Sequence, residues 1–395
     1  MRGPALRPIV IAAGGTGGHF FPAEALASEL LARGHRVVLM TDARSGGLAS
    51  PVFANAETFV LAGAGIVGRG AVRGARAVAA LARGAAQARG HLARLDAAAV
   101  VGFGGYPCVA PILAAHVLRR RPALILHEQN AVLGRANRWL APRADVLALG
   151  FAGTTRVPSG VSRFVTGNPV RPAIQALAGR DRAVPQHPLR LLVLGGSLGA
   201  RVFSDVVPAA IALLDPAGRA GLRVTQQCRA EDLDRVGRAY GHAGVAHELS
   251  TFFPDIADRM GAADMVIARA GASTVSELAV AGCPALLVPL PSAIDDHQTR
   301  NAEAIGAPML AQAEFTPDRL ADHLRGLLAD PAALPALGRG MAAHACGDAA
   351  ARLADLVEAR IRAAVAPRGA AIAEQVTPDR PAGASGGARG GEHGA

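Results

Sequence analysis

Two short apolar runs, residues 8–13 and 191–194, each stop at a cluster of glycines and lead straight into a helix-forming stretch. No other feature constrains the fold as much. A short, continuous apolar run suits a strand covered on both faces, and such strands belong to parallel sheets flanked by helices. Further apolar runs at 36–40, 98–101, 123–126 and 146–149 follow the first loop, punctuated by glycine, proline or charge. Runs at 223–227, 264–268 and 285–288 follow the second. The chain therefore reads as α/β, with two doubly wound domains facing each other across a cleft. Ligands in such sheets bind outside the carboxyl ends of the strands, so two substrates could meet between the domains. A length of 395 residues fits two or three domains. Few aromatics and abundant alanine favour α/β domains over a β-sandwich.

The first domain is assigned to residues 1–168 and the proline-rich, charged stretch 169–188 to a linker. The second domain spans 189–365, with its last helix free to pack back on the first domain. Pro, Gly and Ala dominate 366–395, which is expected to be a disordered tail. Cys108, Cys228, Cys283 and Cys346 are far apart and form no CxxC pair. That argues against a disulfide framework or zinc site and fits a reducing cytosol. The N-terminus lacks the cleavable pattern of a signal peptide. Residues 97–118 carry no Asp, Glu, Lys or Arg, but Gly102, Gly104, Gly105, Pro107 and Pro111 would break a spanning helix. They read as a buried strand, a glycine turn and a helix.

Every basic side chain except histidine is arginine, as codon bias in a GC-rich genome would produce. Residues 1–168 hold 19 arginines against 7 acidic residues, and 169–365 hold 19 against 21, so the net +10 sits in the first half. Such asymmetry suits a phosphate-rich partner, either nucleic acid or anionic lipid. On a helical wheel Arg69, Arg73, Arg76, Arg83 and Arg94 share an arc of about 80°. Val78, Leu81, Leu92 and Leu95 share another of about 100°, although Gly70, Gly74, Gly84 and Gly90 weaken the helix. Arg119, Arg120 and Arg121 add a second cluster. The expected role is docking on an anionic membrane surface; the alternative is a solvated arginine face. A nucleic-acid-binding module leaves the polar strand ends unexplained.

Those ends carry the chemistry. Gly14, Gly15, Thr16, Gly17 and Gly18 follow a strand and precede a helix, so their backbone can approach a phosphate. The loop fits neither GxGxxG nor a P-loop. His19 ends it, as either a general base or a structural helix-start histidine. Gly195 to Gly199 match GxSxG between strand and helix, the context of a hydrolase nucleophile elbow around Ser197. Asp296 and His297 are adjacent, however, whereas a triad needs them on separate loops. A second phosphate cradle explains both glycine loops together. His127, Glu128, Gln129 and Asn130 end another strand, with helix capping by Asn130 as the alternative. Arg171 follows Gly167, Asn168, Pro169 and Val170 and could reach an anion or be merely solvated. Residues 269–277 offer phosphate donors at a helix start and Glu277 for ribose hydroxyls. Residues 295–301 offer amide and imidazole groups for a sugar.

Together these residues resemble the MurG family. The similar motifs are GGTGGH at 14–19, GFGGYP at 102–107, HEQN at 127–130, GNPVR at 167–171, GGSLGA at 195–200, RAGASTVSE at 269–277 and DHQTRNA at 296–302. The resemblance implies the GT-B fold, two Rossmann-like domains facing a cleft. It implies inverting, metal-independent and cofactor-free transfer of N-acetylglucosamine from UDP-N-acetylglucosamine to the C4 hydroxyl of the muramyl sugar of lipid I, giving lipid II. His19 would be the catalytic base. Thr16, Gly17, Gly18, Asn130, Arg171, Ser197, the backbone at Phe253, Ala272, Ser273, Thr274, Val275, Ser276, Glu277 and Gln298 would bind the UDP-sugar, with His297 beside Gln298. The protein would sit peripherally on the cytoplasmic side of the inner membrane and bind no nucleic acid. Leu198 stands where the family usually has glutamine, and 63–74 is only loosely like the family's loop. Another acceptor or a UDP-sugar epimerase are the alternatives within the fold.

Overall fold

The structure, a computed structural model, describes residues 7–14, 17–43, 50–63, 71–196 and 199–365. In chain order the strands of the first sheet are β1 (Ile9–Ala12), β2 (Val37–Asp42), β3 (Glu57–Leu61), β4 (Ala99–Gly102), β5 (Ala123–Glu128), β6 (Val146–Leu149) and β7 (Arg163–Val165). They pair in parallel in the order β3-β2-β1-β4-β5-β6-β7. The second sheet contains β8 (Leu189–Leu194), β9 (Leu222–Gln227), β10 (Ala246–Ser250), β11 (Met265–Ala268) and β12 (Ala285–Leu287), also parallel, in the order β10-β9-β8-β11-β12.

In each sheet the first strand lies between its successor and a later strand, so the chain direction across the sheet reverses there. Such a switch point leaves a crevice at the strands' carboxyl ends. The two glycine loops follow β1 and β8, and the loops at 103–105 and 269–271 follow their neighbours β4 and β11. The described residues of these four loops therefore sit at the two crevices.

Side-chain alternation along each strand feeds a core on either face. Ile9 and Ile11 pack with Phe20, Leu26 and Leu30, whereas Val10 and Ala12 pack with Leu92, Ile112 and Leu124. In the second sheet Leu191 and Val193 meet Phe203, Val207 and Tyr240. Leu192 and Leu194 share a core with Met260, Leu278 and, from the stretch after β7, Val170, Ile174 and Leu177. The last helix, Ala349–Val365, returns to the first sheet and inserts Leu353 and Val357. Arg33 bonds Asp355 at 2.6 Å and His35 bonds Glu358 at 2.9 Å, tying that helix in place.

Three strands differ from the sequence reading by being present at all: β3, β7 and β10, each at a sheet margin. Glu57, Thr58, Val60, Arg163, Ala246, His247 and Glu248 are exposed, so these strands lack the apolar run that marks a covered strand. Residues 97–118 form β4, a tight turn at Tyr106–Cys108 and the helix Val109–His116. Among the described residues no helix is long and apolar enough to cross a membrane.

The helix Ala71–Leu95 buries Ala77, Ala88 and Leu92 and exposes Arg76, Arg83, Arg89 and Arg94. Arg69 and the side chain of Arg73 lie outside the described residues. Gly84 contributes more than weakness. A Cβ there would overlap the Ala62 carbonyl oxygen, so only glycine allows this close approach of helix and chain.

Candidate active site at the domain junction

His19 lies in the first turn of the helix Gly17–Ala32, beside the crevice between β1 and β4. It is partly buried, and its Nδ1 lies 2.9 Å from Gln129 Oε1. Gln129 Nε2 lies 3.0 Å from His127 Nδ1, and His127 Nε2 lies 3.0 Å from the Gly167 carbonyl oxygen. His127 is fully buried against Phe103, and burial pushes its pKa down to about 4. Thr16 lies outside the described residues. A Cβ on Gly17 would sit 2.7 Å from the Phe21 ring, which would have to move.

β5 runs two residues further than its apolar stretch suggests, so His127 and Glu128 belong to the strand. The buried Glu128 carboxylate accepts from the Asn130 and Gly134 backbone N–H groups at 3.0 and 2.9 Å, and from the Asn130 and Asn137 side-chain amides at 3.0 and 2.9 Å. Four donors replace its lost hydration. Glu128 thus folds the loop that presents Asn130. The Asn130 amide does not cap a helix; its Oδ1 accepts from Asn301 Nδ2 across the cleft at 3.2 Å.

The chain crosses between domains at 167–171. Asn168 Nδ2 donates to the Gln129 carbonyl oxygen and to Ser276 Oγ, both at 2.8 Å, which links β5 to the helix Ala272–Val280. Arg171 is not merely solvated. Its Nε and Nη2 donate to the two Glu277 carboxylate oxygens at 2.8 Å each, and its guanidinium stacks 4.9 Å from the centre of the Phe21 ring. Two residues expected to serve separate ligand groups are therefore bonded to each other.

The helix Ala272–Val280 points its first turn at the first domain, where Ser273 Oγ donates to the Gly18 carbonyl oxygen at 3.2 Å. Ala272, Val275, Ser276 and Glu277 are buried, and the Val275 side chain belongs to the core. Only its backbone remains for a ligand. Ser273 and Thr274 are partly exposed. Gln298 Oε1 accepts from the Leu290 N–H at 2.9 Å, and His297 Nδ1 donates to the Ile294 carbonyl oxygen at 2.8 Å. The Phe253 ring is core, stacked under Arg259 at 4.2 Å, while Phe252 is exposed. Ser197 and Leu198 lie outside the described residues.

Several residues gain importance only in three dimensions. Asn301 is fully buried and bonds the Ala131 N–H at 2.8 Å and the Ala270 carbonyl at 3.1 Å, stitching the domains together. Asp295 is gripped by Arg138 at 3.0 Å and Arg156 at 2.5 Å, both from the first domain. Asp295 and Asp296 have φ of 58° and 53°, a region costly for side chains other than glycine. Gln227 accepts from Gly195 N at 3.2 Å and donates to the Thr251 carbonyl at 3.1 Å, joining the second glycine loop to the 251–253 segment. Asn168 and Asn301 sit inside recognisable motifs, but their cross-domain partners have no one-dimensional signal.

Comparison with known proteins settles the family. Residues 9–148 match the glycosyltransferase family 28 N-terminal domain, and residues 190–353 match its C-terminal domain. The UDP-N-acetylglucosamine--N-acetylmuramyl-(pentapeptide) pyrophosphoryl-undecaprenol N-acetylglucosamine transferase of Granulibacter bethesdensis is 59% identical over 374 residues, covering 93% of this chain and 97% of its own. The chain belongs to the MurG family. The crystal structure of Acinetobacter baumannii MurG superposes with a TM-score of 0.71 at 29% identity, covering 90% of this chain and 99% of that one. The architecture is GT-B. A Listeria monocytogenes protein described as a UDP-N-acetylglucosamine 2-epimerase shares it with a TM-score of 0.64, covering 91% of this chain and 98% of its own. At 13% identity that likeness is one of fold alone. Membership of the MurG family makes the GxSxG segment a glycosyltransferase loop and removes the hydrolase reading, although a strand before it and the helix Arg201–Ala212 after it do imitate a nucleophile elbow.

Proposed function

We propose that this chain moves N-acetylglucosamine from UDP-N-acetylglucosamine to the C4 hydroxyl of the muramyl sugar of lipid I, giving lipid II. The supporting observation is the placement of a histidine from the first domain opposite the start of a second-domain helix. His19 follows the first glycine loop, and Ser273 reaches across to Gly18 at 3.2 Å.

In this reading the acceptor hydroxyl approaches His19 Nε2 and gives it a proton while its oxygen attacks the anomeric carbon. The bond from that carbon to the diphosphate breaks on the opposite face, and the electron pair leaves with UDP. Configuration inverts. General-base assistance lowers the cost of the attack, and donors aimed at the departing diphosphate lower the cost of the leaving charge. Those donors are assigned to the loop at Thr16, Gly17 and Gly18, to Ser197, and to the first turn at Ala272, Ser273 and Thr274, with Val275 and Ser276 contributing through their position on that helix. Glu277 retains lone pairs for the ribose, while Arg171 holds its carboxylate in place. The backbone at Phe253 takes the uracil. Asn130, His297 and Gln298 take the sugar. Residues 1–168 form the acceptor and membrane-facing domain, 189–365 the donor domain and 169–188 the connection. The enzyme works peripherally, from the cytoplasmic side.

The deciding experiment is transfer of labelled sugar from UDP-N-acetylglucosamine to a lipid I analogue. Conversion of the UDP-sugar to its epimer without acceptor would sink the proposal. Gln298→Ala is expected to weaken use of the UDP-sugar far more than binding of UDP alone. Equal losses would move Gln298 away from the sugar.

A further inference from the structure

The motif ending β5 supplies more than sugar contacts. We infer that Gln129 is a positioning residue that holds His19 in the Nδ1–H tautomer and leaves Nε2 as the free base, with His127 and the Gly167 carbonyl anchoring Gln129. The inference rests on the proposed role of His19 as the base.

The direction of every proton follows from groups that can only accept. Gln129 Nε2 lies 3.3 Å from the His127 carbonyl oxygen as well as 3.0 Å from His127 Nδ1. A carbonyl oxygen has no proton to offer, so the amide nitrogen must face that side and Oε1 must face His19. Oε1 also only accepts, and it lies 2.9 Å from His19 Nδ1. His19 Nδ1 therefore carries the proton, and the lone pair is on Nε2. At the far end, His127 Nε2 lies 3.0 Å from the Gly167 carbonyl, so it donates there and keeps Nδ1 as an acceptor. Burial holds His127 neutral, with a pKa near 4. A protonated His127 would set an N–H against the Gln129 amide N–H and turn the amide round.

The free edge of His19 is also kept open. Gly105, with φ of 66°, lies against the imidazole, and a Cβ there would come within 3.3 Å of both Cδ2 and Nε2. A bare glycine backbone leaves Nε2 room to meet a hydroxyl. In water a neutral histidine carries its proton mainly on Nε2. Gln129 reverses that preference, removing the need for a tautomer change before each turnover. Gln129 is itself 1% exposed, so solvent does not compete for its amide.

Long-range proton–nitrogen correlation spectra of the 15N-labelled full chain, with His19→Ala for assignment, report the tautomer directly. The expected result is a neutral His19 protonated on Nδ1. Protonation on Nε2 in the unaltered protein overturns the inference without recourse to any variant. Gln129→Met should shift His19 toward the Nε2–H form and lower kcat roughly 10–100-fold, the range seen when the hydrogen-bond partner that orients a metal-bound histidine is removed. KM for the UDP-sugar should change little, and retained UDP binding would confirm that the variant folds. In a His19→Ala background the same change should cost nothing more, because the two residues act as a unit. Full additivity would overturn the inference. Failure of the unaltered protein to glycosylate the lipid I analogue, with the Nδ1–H tautomer observed, would instead count against the proposed reaction.

Discussion

His19, in the first turn of the helix after β1, and Glu128, at the end of β5, are both polar residues near the carboxyl ends of strands, yet their surroundings give them different work. Four N–H donors surround the Glu128 carboxylate, so it is spent on holding its loop. His19 has one ring nitrogen committed to Gln129 and the other beside a glycine. Sequence position alone marked both as facing the cleft. It could not separate them, because the separation depends on partners 110 residues away in one case and 2–9 in the other. The same holds for Arg171 and Glu277, which are 106 residues apart and share a bidentate pair. His19→Ala is expected to lose at least ~100-fold in turnover, the lower end for general-base catalysis, while UDP binding stays close to normal. Steady-state transfer rates and UDP titration check this together. Near-normal turnover would remove His19 from the mechanism.

At the scale of elements, legibility followed burial. The central strands β1, β4, β5, β8 and β11 are built around apolar runs and are placed from the sequence to within one or two residues at either end, β5 and β8 each being two residues longer than their apolar stretch. The margins β3, β7 and β10 could not, because one side of each meets solvent and their polar residues break the pattern. The helix Ala71–Leu95 shows a different limit. Its glycines all carry the same intrinsic penalty, but their surroundings differ. Gly84 faces the Ala62 carbonyl with no space for a Cβ, whereas Gly90 has nothing within 4 Å. Gly90→Ala should therefore stabilise the protein by about 0.5–1 kcal/mol through helix propensity. Gly84→Ala should destabilise it, since the gain in propensity is outweighed by displacement of backbone. Denaturant melts of the two variants decide the matter; stabilisation by both would show that helix and chain can separate freely at Ala62.

Across the whole molecule the domains are joined by the buried Asn301, the Arg171–Glu277 pair and the grip of Arg138 and Arg156 on Asp295. Hydrogen bonds from Arg138 and then Arg156 hold the Asp295 carboxyl below its usual range. A depressed carboxylate contributes stability fully above its unfolded pKa of about 3.9, and loses it as pH falls through the lower folded value. Asp295→Asn should raise KM for the UDP-sugar at neutral pH, because the strained segment before His297 loses its anchor; an unchanged KM would show that the segment holds itself. Charge acts on a longer scale. Arg121 is neutralised by Asp145 at 2.6 Å and Arg120 lies 3.8 Å from Asp96, so the second basic cluster is weaker than its sequence suggests. Arg76 and Arg83 are exposed on the long helix, as is Val78, on a separate arc, at 61%. Each arginine near an anionic surface is worth roughly 1 kcal/mol, so a few of them hold a protein reversibly without any spanning helix. The protein should sediment with anionic liposomes at low salt and be released as salt rises. Arg76→Gln with Arg83→Gln should reduce that binding and leave UDP affinity unchanged, because neither residue belongs to the cleft. Equal, salt-insensitive binding to neutral and anionic vesicles would assign docking to apolar contact in place of arginine charge.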